Sequence, residues 1–154
     1  MHGRPKYMIT RLFDIPYKQL SLFPKTDCLT SKVDGVWKPN STAAFIENGE
    51  TIAKGILARG YAKGDVFGII SPNRPEWNYA DLGMLLSGVL SVPLYTTLSE
   101  PEIIFILNDA KVKAVFTGDK ELLDKINSLK DKIPTLKEVF SFDDLPGSVG
   151  LKEL

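Results

Sequence analysis

The 154-residue sequence holds one cysteine, Cys28, and one histidine, His2. A lone cysteine excludes an intramolecular disulfide framework and any multi-cysteine metal site. A lone histidine beside the N-terminus leaves no base for a Ser-His-Asp arrangement and no His-ligated metal centre. An excess of one charge is missing as well, since nineteen Lys and Arg balance nineteen Asp and Glu. General nucleic-acid binders carry a basic excess, so no nucleic-acid partner is expected. No apolar run reaches the roughly 20 residues that a membrane span requires. The most apolar region, Leu82 to Tyr95, is interrupted by Gly83, Ser87, Gly88, Ser91 and Pro93. The opening MHGRPKYMITRLF is basic but lacks the apolar stretch of about 7–15 residues that follows in a secretory signal. These absences point to a cytoplasmic globular unit, and a composition of 44% hydrophobic and 25% charged residues fits one.

Site signatures are absent too. No G-x-G-x-x-G follows the apolar run at Val66, so a nicotinamide or flavin site has no fingerprint, and no G-x-x-x-x-G-K-[ST] occurs. No pair of aspartates follows the first parallel strand, which argues against a phospho-accepting receiver domain. No G-x-S-x-G elbow exists. Cys28 reads as a small packed residue and Trp37 and Trp77 as core or hairpin packing.

What is present has a clear order. Leu12, Phe13, Leu20 and Phe23 share a face of a helix from Thr10 to Phe23, with Thr10 as its cap and Pro16 as a weakness. Burial of that face against the domain is expected, with docking on a membrane or partner as the alternative. Asp34-Gly35 between two β-prone runs is a hairpin signal. Ser41 or Thr42 caps a helix running to about Arg59, with Gly60 as its C-terminal glycine, and Gly49 leaves that helix locally weak. From Val66 the chain alternates: strand to Ser71, helix Pro75 to Gly88, strand Val92 to Tyr95. A helix follows from the Ser99-Glu100-Pro101-Glu102 capping box to Asp109, then a strand over Val112 to Phe116. An Asp119-capped helix and a strand over 139–142 complete the series. The helix from Pro75 is apolar almost all round, which implies burial between layers. Pro146-Gly147 reads as a turn and SVGLKEL as the start of another helix, with no closing element. Such alternation implies an α/β fold, a parallel sheet of βαβ units preceded by a helix and a β-hairpin.

Open parallel sheets bind ligands beyond the carboxyl ends of their strands. Asn73 and Arg74 stand there before a helix N-terminus and could meet an anion. Alternatively, Asn73 caps the helix and Arg74 makes an ion pair. The hydroxyl-rich Tyr95, Thr96 and Thr97 could bond a polar ligand, or hold their loop while Tyr95 packs and Ser99 caps. Thr117-Gly118-Asp119 could engage a ribose, with capping by Asp119 the stronger reading. No catalytic residue and no metal ligand is assigned.

Gly64-Asp65, Asn73-Arg74-Pro75-Glu76-Trp77, Val92-Pro93-Leu94-Tyr95, Thr97-Leu98-Ser99 and Asn108-Asp109 fall in an order that resembles the N-terminal part of an adenylate-forming acyl-CoA synthetase, in its long-chain fatty acid–CoA ligase branch. The resemblance implies a parallel sheet belonging to the large domain of such an enzyme, divided as 1–40 (helix and hairpin) and 41–154 (incomplete AMP-binding-type unit). It implies a reaction in which a fatty acid carboxylate attacks ATP to give acyl-adenylate and pyrophosphate, after which CoA displaces AMP. ATP, Mg2+ and CoA are the implied cofactors of the full-length enzyme. The implied partners are a fatty acid and the rest of the polypeptide, with peripheral membrane contact as a further option. The family's Pro-Lys-Gly loop, its aromatic-Gly-x-Thr-Glu segment and its C-terminal lysine lie outside this sequence. The chain is therefore expected to be inactive alone. The alternative is a free-standing, non-catalytic α/β ligand-binding or interaction module.

Overall fold

A computed structural model describes residues 9–145 and 148–154. It opens with α1 (Asp14–Leu22) and the strands β1 (Leu29–Val33) and β2 (Val36–Asn40), followed by α2 (Thr42–Ala58). Then come β3 (Val66–Ile70), α3 (Pro75–Ser87), β4 (Leu90–Leu94), α4 (Glu100–Asp109) and β5 (Ala114–Thr117). The chain finishes with α5 (Lys120–Leu129), β6 (Glu138–Ser141) and a two-residue β7 (Val149–Gly150). β1 and β2 form an antiparallel hairpin. Asp34 and Gly35 at its tip take φ values of 51° and 80°, the left-handed pair that a two-residue hairpin turn demands. The other five strands make one sheet in the order β4-β3-β5-β6-β7, parallel at every pairing.

Alternation along the strands divides the core into two layers. Phe67, Ile69, Phe116 and Phe140 face Ile52 and Ile56 of α2 and Tyr79, Ala80 and Met84 of α3. Ile70, Val115 and Val139 face Ile103 and Leu107 of α4 and Leu122, Leu123 and Ile126 of α5. β5 is buried at all four positions, as an inner strand covered on both sides must be. The helix ends follow their sequence signals. Ser41 Oγ accepts from the Ala44 N–H at 3.1 Å and Asp119 Oδ1 from the Leu122 N–H at 2.9 Å. Glu102 accepts the Ser99 N–H at 2.8 Å, and Gly88 closes α3 in the left-handed conformation at φ 76°.

Several expectations are corrected. Thr10 does not cap the first helix: its N–H and hydroxyl donate to Asp14, and Phe13 holds the N-cap position. Pro16 therefore falls in the first turn, where its missing N–H costs nothing. The apolar face is not buried, because Leu12 is 70% exposed and Leu20 and Phe23 also meet solvent. Trp37, expected to pack, is 64% exposed on the hairpin. α2, expected to be imperfect at Gly49, runs unbroken past it. A Cβ there would lie 2.6 Å from Leu82 Cδ2, and one on Gly83 would lie 2.6 Å from Ile52 Cγ2. The two glycines let α2 and α3 approach closely. β4 begins at Leu90, whose N–H reaches the Asp65 carbonyl at 2.8 Å directly after the α3 cap. The turn expected at Pro146-Gly147 lies outside the described residues; the segment from 148 onward is a short strand and a single 3-10 turn over Leu151–Glu153, and no α-helix starts there.

Candidate functional site

Strand order fixes where a ligand could sit. The chain leaves β3 through α3 to reach β4 on one side, then crosses through α4 to β5 on the other side of β3. α3 and α4 lie on opposite faces, so the carboxyl ends of β3 and β5 part around a crevice, the switch point at which open parallel sheets bind ligands. A cleft of about 890 Å³ opens there, lined by Pro72 to Asn78, by Gly118 and Asp119, and by Leu29 to Val33 and Trp37 of the hairpin. Its volume lies in the range of small-molecule sites, about 300–1,000 Å³. Trp37 and Trp77 both line it.

Arg74 occupies the crevice. It is the N-cap residue of α3, with extended backbone (φ −156°) and no side-chain cap. Its Nε donates to Glu76 at 2.8 Å and its Nη1 to the Gly118 carbonyl at 2.6 Å. Nη2 pairs with Asp143 Oδ1 at 2.9 Å, and the guanidinium lies 5.7 Å from the Phe142 ring centre. One side chain thus joins the ends of β3, β5 and β6. Gly118 makes this possible, since a Cβ there would lie 2.4 Å from Ser71 Oγ and 2.9 Å from Pro72 Cδ.

Asn73 is exposed on the cleft wall and does not cap α3, because Arg74 takes that position. The structure thus brings Asn73 and Arg74 together. Tyr95, Thr96 and Thr97 stand apart from them, after β4, and none of the three lines the cleft. Tyr95 does not pack: it follows β4, an edge strand among the described residues, and is 81% exposed. Asp119 caps α5 as expected, and Thr117 is buried with its hydroxyl donating to the Phe140 carbonyl at 2.9 Å. Cys28 is half-buried, its thiol 3.3 Å from Gln19 Oε1. Sequence reasoning missed Asp143 and the hairpin wall, and it read Gly118 as part of a possible ribose contact rather than as the close approach to Ser71 and Pro72. Only Gly118, a glycine directly after a buried strand, carried a readable signal of close backbone approach.

The amino ends of the strands are closed by a different network. Glu138 accepts the Arg59 guanidinium at 2.6 Å and the Tyr61 hydroxyl at 2.5 Å, and Lys113 pairs with Asp65. The Lys113 ammonium and the Ala62 N–H hold the Asp65 carboxyl below the usual range. Burial and the Glu138 charge push the Tyr61 hydroxyl up. Among the described residues no group of three or more His, Cys, Asp or Glu could hold a metal ion. No helix among them is long and apolar enough to cross a membrane.

The profile of the AMP-binding enzymes matches residues 26–153, which takes in the hairpin, the crevice and every strand. The chain belongs to the AMP-binding enzyme family. Within this family it resembles the long-chain-fatty-acid–CoA ligase FadD15 of Mycobacterium bovis, 29% identical over 107 residues, 70% of this chain and 18% of that protein. It also resembles long-chain-fatty-acid–CoA ligase 5 of Rattus norvegicus, 30% identical over 142 residues, 86% of this chain and 20% of that protein. The chain spans about a fifth of the length of these curated relatives. The fold matches that of acetoacetyl-CoA synthetase from Streptomyces lividans with a TM-score of 0.80 at 18% identity, covering 92% of this chain and 24% of that one. The α/β sheet with its preceding helix and hairpin is thus the AMP-binding enzyme arrangement, and the resemblance read from the Asn73–Trp77 and Val92–Ser99 segments is borne out.

Proposed function

We propose that the chain is the N-terminal scaffold portion of an ATP-dependent fatty acid–CoA ligase acting on long-chain acids. The family match over residues 26–153 carries this reading, because it covers both walls of the switch-point cleft. In this reading residues 1–40 supply an outer helix and hairpin, and 41–154 supply an incomplete AMP-binding-type unit. Asn73 borders the substrate region through the cleft wall, and Tyr95, Thr96 and Thr97 border it from the neighbouring strand end.

The side chains present do not fit ATP, Mg2+ or CoA by themselves. Two cations line the crevice: Arg74 already bonds two carboxylates and a carbonyl, and Lys32 on the hairpin wall lies 5.8 Å from the Trp37 ring centre; no metal-binding cluster stands among the described residues. No chemical step is therefore assigned to this chain. Its contribution is a rigid sheet end that shapes one side of the site, and such positioning accounts for much of the catalysis in phosphoryl-centred reactions.

The test compares the 154-residue chain with the polypeptide continued by its own reading frame beyond Leu154. Palmitate-dependent ATP–pyrophosphate exchange is expected in the continued polypeptide and only background exchange in the chain alone. Exchange by the chain alone would sink the scaffold reading. A stop codon directly after Leu154 would favour a non-catalytic module instead.

A further inference from the structure

We infer that Arg74 is a positioning residue that braces the crevice and takes no ligand itself. The inference deepens the proposed function, since it says how the scaffold holds one side of the substrate region. Arginine before a helix N-terminus invites the opposite reading, a cation awaiting an anion. Here, however, each of its three nitrogens has a protein partner: Glu76 for Nε, the Gly118 carbonyl for Nη1 and Asp143 for Nη2. These partners come from the start of α3, the β5 end and the β6 end. The planar guanidinium suits the task, because its donors diverge at fixed angles and its face can lie against the Phe142 ring.

The brace sits beside the two hydrogen bonds that end the sheet. The Gly118 N–H donates to the Ile70 carbonyl and the Phe142 N–H to the Thr117 carbonyl, each at 2.9 Å. Gly118 lets the β5 loop touch Ser71 and Pro72, and Arg74 locks that contact from the cleft side. Lysine cannot replace it, since one ammonium lacks the fork that reaches three partners on separate loops.

Amide hydrogen exchange on the 154-residue chain tests the brace without needing any activity, so its outcome is separate from that of the exchange assay. Arg74→Ala and Arg74→Lys should both speed exchange at Gly118 and Phe142 on the order of tenfold, through local opening. Asp143→Asn should do so less, with exchange unchanged at Lys113 and Lys137 on the opposite end of the sheet. Full protection in Arg74→Lys would overturn the brace, because charge alone would then suffice. If Arg74→Ala unfolds the chain, Arg74→Lys and Asp143→Asn decide.

A second readout separates a brace from an anion ligand. Inorganic pyrophosphate is titrated against the fluorescence of Trp37 and Trp77, which line the cleft. No saturable change is expected in the wild type, Arg74→Ala or Asp143→Asn. A saturable change that appears in Asp143→Asn and vanishes in the double variant with Arg74→Ala would show that Asp143 merely occupies a ligand's place, and the inference would fail.

Discussion

The sheet body and the N-terminal helix with its hairpin are built from similar apolar residues but use them in opposite ways. In the sheet, Phe67, Phe116 and Phe140 are fully buried, and the Phe116 and Phe140 rings stand 5.1 Å apart. In the leading segment, Leu12, Phe23, Val36 and Trp37 face solvent. The leading segment is held by a few apolar anchors, Pro16 and Leu29, and by polar contacts. Tyr17 donates to Glu50 at 2.8 Å, and Lys25 and Thr42 exchange two hydrogen bonds across the start of α2. The difference teaches that apolar content alone does not locate a core. A residue contributes through the layers that close over it, and only the sheet has layers on both faces.

This contrast can be broken at its strongest point first. Phe116→Ala removes a fully buried ring and is expected to cost about 3–5 kcal/mol, lowering the melting midpoint by roughly 10 °C. A loss of less than about 1 kcal/mol in a denaturant titration would mean that the sheet core is not closed.

Next in size is the ion pair at the amino ends of the strands. Asp65 titrates below its usual range when folded because of Lys113 and the Ala62 N–H. Its stabilisation is present above the unfolded carboxyl pKa of about 3.9 and is lost as pH falls through the lower, folded value. Asp65→Asn should therefore lower the melting midpoint by about 1–3 °C at pH 7, the range of a partly exposed pair. The gap from wild type should close in acid. A constant gap across a pH series would assign the loss to packing.

The smallest effect belongs to the leading segment. Trp37→Ala is expected to change stability by less than about 0.5 kcal/mol, because the ring is mostly in water. A cost comparable to that of Phe116→Ala would place the hairpin in the core after all.

Local signals proved legible wherever one residue type satisfies one backbone need. Asp34-Gly35 turns the hairpin, Ser99 with Glu102 and Asp119 start their helices, and Gly88 ends one. Longer-range features were not. Asn73 looked the better cap by its side chain, yet the backbone enters the helix one residue later, at Arg74, which is drawn into the crevice by Gly118 and Asp143. β7 has two residues, too few for a periodicity to register. The crevice itself depends on β5 lying beside β3 with β4 on the other flank, and strand order leaves no mark on any single segment. The exposed face of α1 has the same spacing a buried one would have, since periodicity reports which residues share a face and not what covers it.

The crossing of α2 and α3 through Gly49 and Gly83 has a consequence for heredity. Neither residue touches a cleft or carries a functional group, yet even an added methyl group would strike Leu82 or Ile52 at 2.6 Å. In a survey of every single substitution these two positions should be as unforgiving as reacting residues. Intolerance to change in this chain therefore marks places where one helix's backbone lies against its neighbour's side chains with no room to spare, as well as places where chemistry happens.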